Sequence, residues 1–153
     1  MVNKYMKMAI AEARKGIKNS HGGPFGAVIV KNDVVVGKGH NQVLKNNDPT
    51  CHGEMMAIHK ACKTLGTFDL TGCEIYTTGE PCPMCLAAIL WANIEKVYYG
   101  CNIVDTEAIG FRDKKFFEMT APGEKEKLVT ELDRKACLKL YKQYSEIQGH
   151  KIY

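Results

Sequence analysis

At 153 residues, 45% hydrophobic and 25% charged, the chain has the balance of one soluble globular domain that buries a core without disulfides or metal as a condition of folding, which excludes disordered and fibrous classes. The net charge of +4 comes from lysines spread along the chain, the pattern of a solvated surface and not of a nucleic-acid-binding face. No apolar run is long enough for a bilayer and no basic-then-apolar start marks export, so a cytosolic protein with no membrane partner is expected; seven cysteines, an odd number, then favour metal or catalytic use over a disulfide framework.

Met6, Ile10, Ala13 and Ile17 recur at helical spacing and predict an opening amphipathic helix that stops near Gly16 to Asn19. The loop "NSHGGPFG" follows. "AVIV" and "VVVGKG", two β-branched runs separated by Lys31, Asn32 and Asp33, read as a hairpin turned at Asn-Asp. The loop "NQVLKNNDPT" leads to a second helix from Cys51 to about Leu65, with Asp48 or Thr50 as N-cap and Pro49 near its start.

"CEIYTT" predicts a short buried strand, and "PMCLAAILWAN" a helix with Pro83 at its first position, where no amide hydrogen is needed. "KVYYGC" is another strand. Residues 102–127 read as irregular with short helical turns, "LVTELD" as an edge strand, and "RKACLKLYKQYSEIQ" as a helix with Ala136, Leu140 and Tyr144 on one face. Alternating strands and helices argue an α/β fold, three layers around one sheet. With no repeat, linker or low-complexity tract, residues 1–153 are taken as a single domain.

The chemistry concentrates in "GEPCPMCL". Cys82 and Cys85 stand between a strand and a helix, where exposed amide hydrogens and the helix dipole stabilise thiolates. That spacing serves redox pairs, structural zinc sites and zinc enzymes alike. Upstream, "CHGEMMAIHKAC" sets His52 and Glu54 in the first turn of the preceding helix. Helix starts of an α/β sheet gather along the rim beyond the carboxyl ends of its strands, where sites form. Zinc held by His52, Cys82 and Cys85 keeps a fourth tetrahedral position for water, the mark of a catalytic site, and Glu54 would accept that water's proton. Cys51, beside His52, is the residue that could close the shell and make the site structural. Cys62, Cys73, Cys101 and Cys137, like Cys51 by default, read as buried small hydrophobes. "HGGPFG" does not fit a phosphate loop, since it lacks a G-K-[ST] ending and a preceding strand; its glycines suit a tight turn under the site.

His-x-Glu followed by Pro-Cys-x-x-Cys is the known signature of zinc-dependent nucleobase deaminases. Both halves stand intact here as His52-Gly53-Glu54 and Pro81 to Cys85. Over nearly its whole length the chain resembles the cytidine deaminase-like superfamily, most closely the small bacterial guanine deaminases, in "GGPFGAVIV", "NDPTCHGE", "EPCPMCLAAILWA", "GFRD" and a terminal tyrosine. The resemblance implies a mixed five-stranded sheet between helices, one Zn2+ per chain on His52, Cys82 and Cys85, and Glu54 as general acid/base. It implies that guanine is hydrolysed to xanthine and ammonia. Asn41 and Asp113 would hydrogen-bond the purine, the Gly53 amide would face it, and Phe25 and Trp91 would pack against or near its ring. Tyr153 would reach the substrate, in a homodimer with or without exchange of the C-terminal segment.

The chain departs from the family at two places. Where these deaminases usually read His-Ala-Glu, it reads His-Gly-Glu, as do fungal cytosine deaminases, and Gly79 stands where a small polar residue or cysteine is common. Cytosine or another aminated heterocycle, a tRNA-editing adenosine deaminase, and a non-enzymatic structural zinc module are the alternatives. An editing enzyme would want a basic face near the site, whereas the chain ends in "QGHKIY".

Overall fold

The opening helix begins where Asn3 accepts hydrogen bonds from the amides of Tyr5 and Met6, and it runs as α1 over Lys4–Lys18. In the computed structural model of the protein, residues 2–151 are described. They continue through β1 (Gly26–Lys31), β2 (Val34–His40), α2 (Val43–Asn46), α3 (Gly53–Leu65), β3 (Cys73–Gly79), α4 (Pro83–Trp91) and β4 (Lys96–Cys101). Then come α5 (Ile103–Ala108), α6 (Asp113–Met119), a short 3-10 turn and α7 (Arg134–Ser145). The chain divides between Phe117 and Glu118 into two compact units.

In the first unit, β1 and β2 form the predicted hairpin. Asn32 and Asp33 both take positive φ, 48° and 63°, which matches the twist of the two strands. The sheet order is β2-β1-β3-β4. β1 runs antiparallel to both neighbours, and β3 runs parallel to β4. The sheet is therefore mixed, as expected, but it has four strands among the described residues and not five. The stretch expected as a fifth, "LVTELD", lies in the second unit, whose regular elements are all helical. A run of that length makes a strand only where a neighbour offers a hydrogen-bonding edge.

Side chains alternate across β1. Ala27 and Ile29 join Ala57, Ile58, Ala61, Ile75, Ile89 and Ile94 in the larger core, on the side of α3 and α4. Val28 and Val30 join Tyr5, Ala9 and Tyr76 in the smaller core, on the side of α1. Three layers result. A glycine pair in β2 sets the spacing of one: a Cβ on Gly37 would lie 2.4 Å from the Ala57 carbonyl oxygen, and one on Gly39 2.6–2.7 Å from the Ala57 nitrogen and the Gly53 oxygen. The backbone of α3 thus lies directly on β2, and its first turn stands over the end of that strand.

The pairing directions decide where the site forms. Because β1 opposes both β2 and β3, the chain leaves β2, β3 and β4 at one rim and enters β1 there. His40 pairs with Gly26 at that rim, and Gly79 with Cys101. Two local expectations change. The second helix is capped by His52, not by Asp48 or Thr50; those two residues close a small turn instead, the Thr50 amide and hydroxyl both donating to Asp48 at 2.8 and 2.7 Å. Part of the loop after β2 winds into α2. Cys51 and Cys73 are buried as expected, whereas Cys101 and Cys137 are exposed.

Gly39→Ala tests the close approach. It forces the start of α3 off the strand, an overpacking that costs about 1–3 kcal/mol, so the thermal midpoint should fall by roughly 2–10 °C in a calorimetric scan.

Candidate active site

His52 and Cys82 are the N-cap residues of α3 and α4. Both have extended backbones, and neither makes a side-chain capping hydrogen bond. Asn3 and Asn102, by contrast, cap α1 and α5 in the ordinary way, the latter with a full capping box. Two helix starts therefore keep amide hydrogens and positive dipole ends for whatever gathers in front of them. Pro83 occupies the first turn of α4, and Cys85 follows on that same turn with no exposure.

The three donors meet. His52 Nδ1 lies 3.7 Å from Cys82 Sγ and 3.5 Å from Cys85 Sγ, and all three ligand atoms fall within 4.8 Å of one another. Zinc bonds of ~2.3 Å to sulfur and ~2.05 Å to nitrogen, at a tetrahedral angle, put N and S about 3.6 Å apart. The residues fit the metal. Among the described residues this is the sole cluster with that property. Cys51 does not close it, since its sulfur accepts a hydrogen bond from Asn46 Nδ2 at 3.4 Å.

Electrostatics follow from the crowding. The Cys82 thiol, which shares a hydrogen bond with Cys85, is brought down to about 4 against the burial that opposes ionisation, with His52 assisting. The same bond and burial push Cys85 strongly upward. Cys82 also holds His52 above the ordinary imidazole value. Glu54, on the first turn of α3 and 7% exposed, is pushed up to about 7 by burial, with the Cys82 charge adding to the effect. A carboxyl poised there can both take and return a proton near neutral pH.

Asn41 is buried at the end of β2. Its amide donates to the Phe25 carbonyl at 2.9 Å, and its Oδ1 accepts from the Val43 amide at 3.1 Å. Gly53 is equally tight, since a Cβ there would come 3.0 Å from the Phe25 oxygen. Asp113 is half-buried at the start of α6. Burial and the Cys82 charge raise its carboxyl and His52 draws it back, so it shares the field of the donor cluster. Phe25 packs edge-on against Phe111, ring centres 4.8 Å apart and 84° between planes. Phe111 was not singled out in the sequence, although it sits in "GFRD" two residues before Asp113.

Trp91 stands apart from the donors. It ends α4, about 12 Å along the helix from Pro83 at 1.5 Å per residue, and is 66% exposed. Tyr153 lies outside the described residues.

Comparison with known proteins agrees with the chemistry. The chain is 46% identical over 121 residues to the guanine deaminase of Bacillus subtilis (strain 168), covering 78% of each. It is 38% identical over 122 residues to the tRNA-specific adenosine deaminase of Aquifex aeolicus (strain VF5), covering 72% of this chain and 80% of that one. The X-ray structure of guanine deaminase from Bacillus subtilis superposes with a TM-score of 0.83 at 36% identity, over 98% of this chain and 100% of the other. Residues 1–101, which carry the donors and Glu54, match the cytidine and deoxycytidylate deaminase zinc-binding region, and the chain belongs to that family of deaminases.

Proposed function

We propose that the protein is a guanine deaminase that hydrolyses guanine to xanthine and ammonia. The observation that carries this reading is the structural match over 98% of the chain to a guanine deaminase. A tRNA wobble-adenosine deaminase structure matches over 64% of the chain with a TM-score of 0.62, which makes RNA editing the weaker reading. Residues 1–153 are read as one deaminase domain.

Zinc on His52, Cys82 and Cys85 supplies a Lewis acid that makes water a nucleophile near neutral pH. Glu54 would take the proton of the attacking water and deliver it to N3 beside C2, then take the proton of the hydroxyl now on C2 and pass it to the amine, so that ammonia leaves as C2 becomes a carbonyl. Burial of Glu54 keeps solvent from competing for that proton. Asn41, its Oδ1 held by the Val43 amide, offers its amide hydrogens to a purine carbonyl or ring nitrogen. Asp113 accepts from a ring N–H, and the Gly53 amide faces the base. Phe25 supplies an apolar wall for the ring.

A homodimer belongs to the same reading. Leu86, Leu90 and Trp91 of α4 and Tyr98 and Tyr99 of β4 are exposed, an apolar set suited to a second copy. Trp91 acts at such a contact, near the partner's substrate. Helix α7 buries none of its residues, although Leu138, Tyr141 and Tyr144 recur along it, and exchange of this segment would cover them and bring Tyr153 to a partner's site.

Ammonia release from guanine, cytosine, adenine, adenosine and tRNA should single out guanine; release from tRNA alone would overturn the assignment. Glu54→Gln should keep about one zinc per chain and lose roughly 10²–10⁴ in kcat, whereas Cys82→Ser should lose the metal itself by elemental analysis. Removing Ile152 and Tyr153 should raise KM or lower kcat for guanine with an unchanged melting curve. Light scattering should return twice the chain mass.

A further inference from the structure

The side of the sheet that faces α1 is apolar, with Tyr5, Ala9, Val28, Val30 and Tyr76 in its core, yet at the site end a polar chain interrupts it. Glu12 of α1 reaches His40, the last residue of β2, with its Oε2 3.1 Å from His40 Nδ1. His40 Nε2 in turn lies 2.8 Å from His21 Nδ1. His40 is 5% exposed, and the Glu12 side chain 14%. The two rings are near coplanar, 17° apart with centres 5.1 Å apart, so the bond runs head-on from ring edge to ring edge. Lys38 Nζ holds the other Glu12 oxygen at 3.9 Å.

Proton positions follow from the donor and acceptor inventory. A carboxylate only accepts, so His40 carries a proton on Nδ1; in the neutral ring the Nε2 lone pair then faces His21, which donates from its own Nδ1. One carboxylate thus fixes two tautomers. Room was left for the device: a Cβ on Gly16 would come 2.8 Å from the His40 ring. Apolar side chains would fill the same space without burying a charge, an arrangement that adds little stability of its own.

What the chain holds in place is the wall of the site. His40 precedes Asn41. The His21 carbonyl accepts from the amides of Leu44 and Lys45 at 3.0 and 3.1 Å, which ties the loop before β1 to α2. Gly22 then lies against Asn41 so closely that a Cβ would fall 1.9 Å from Oδ1. We propose that Glu12, His40 and His21 are positioning residues, a hydrogen-bonded chain that fixes Asn41 and the 21–25 loop for the substrate and so governs KM while leaving the chemical step to Glu54.

The inference rests on the deaminase reading, and the experiment separates the two. Glu12→Ala, His21→Ala and the double variant are assayed beside wild type on the base that wild type turns over best, with zinc content and melting curves. The expected result is a KM raised about tenfold in each single variant, the size set by losing one buried hydrogen bond. kcat stays within about twofold and zinc near one per chain, and the double variant is no worse than the singles because they break one chain. His21→Asn, whose amide nitrogen can stand where Nδ1 stood, should restore most of the loss. An unchanged KM, additive losses, equal defects in His21→Asn and His21→Ala, or a fall confined to kcat would overturn the proposal. Wild type active on another base and not on guanine overturns the substrate assignment, while the KM ratios on that base still decide the role of the chain. Wild type inactive on every base overturns both.

Discussion

A half-buried imidazole nitrogen 3.5 and 3.7 Å from two sulfur atoms is an arrangement that protons satisfy badly. One thiol is driven toward ionisation and its neighbour away from it, because a single hydrogen cannot serve both. A dication at the centre relieves both at once, and the open amide ends of two helices already favour negative sulfur. Much of the first unit can be traced to that demand. His52 and Cys82 take the N-cap positions that Ser, Asp or Asn would otherwise fill, forgoing about 1 kcal/mol of capping each. α3 has to start over the end of β2, and the paired glycines of that strand allow it.

In the proposed function, chemistry and selectivity come from different parts of the rim. The donors and Glu54 stand on two helix starts, where Glu54, Cys82 and Cys85 are buried and His52 is half-buried. The wall that would recognise a base comes from the 21–25 loop, the end of β2 and the turn before α6, segments held by side-chain contacts such as Phe25 on Phe111 and by the polar chain behind Asn41. Such a division lets a wall change without moving a ligand.

The sequence made the local features plain. The hairpin, the opening helix, Pro83 at the start of α4 and the two-part ligand signature are written in neighbouring residues, and the donor cluster stands as that signature implied. Contacts made across the chain were not legible. Glu12 and His40 are separated by 28 positions, and nothing around either marks the other. Gly37 and Gly39 read as ordinary strand glycines until α3 is laid on them. "LVTELD" has strand composition, but a strand needs an edge to join, and no periodicity reveals whether one is free.

The order of strands has one more consequence. β1 lies between β2 and β3, so the donor on α3 and the donors on α4 come within reach of one ion only after residues 26–31 have paired with residues 73–77 across some forty intervening positions. The metal consequently has little to hold in the unfolded chain and adds its binding energy almost wholly to the finished fold. Removing the ion would shrink that margin and leave more of the chain open to unfolding and proteolysis at any moment.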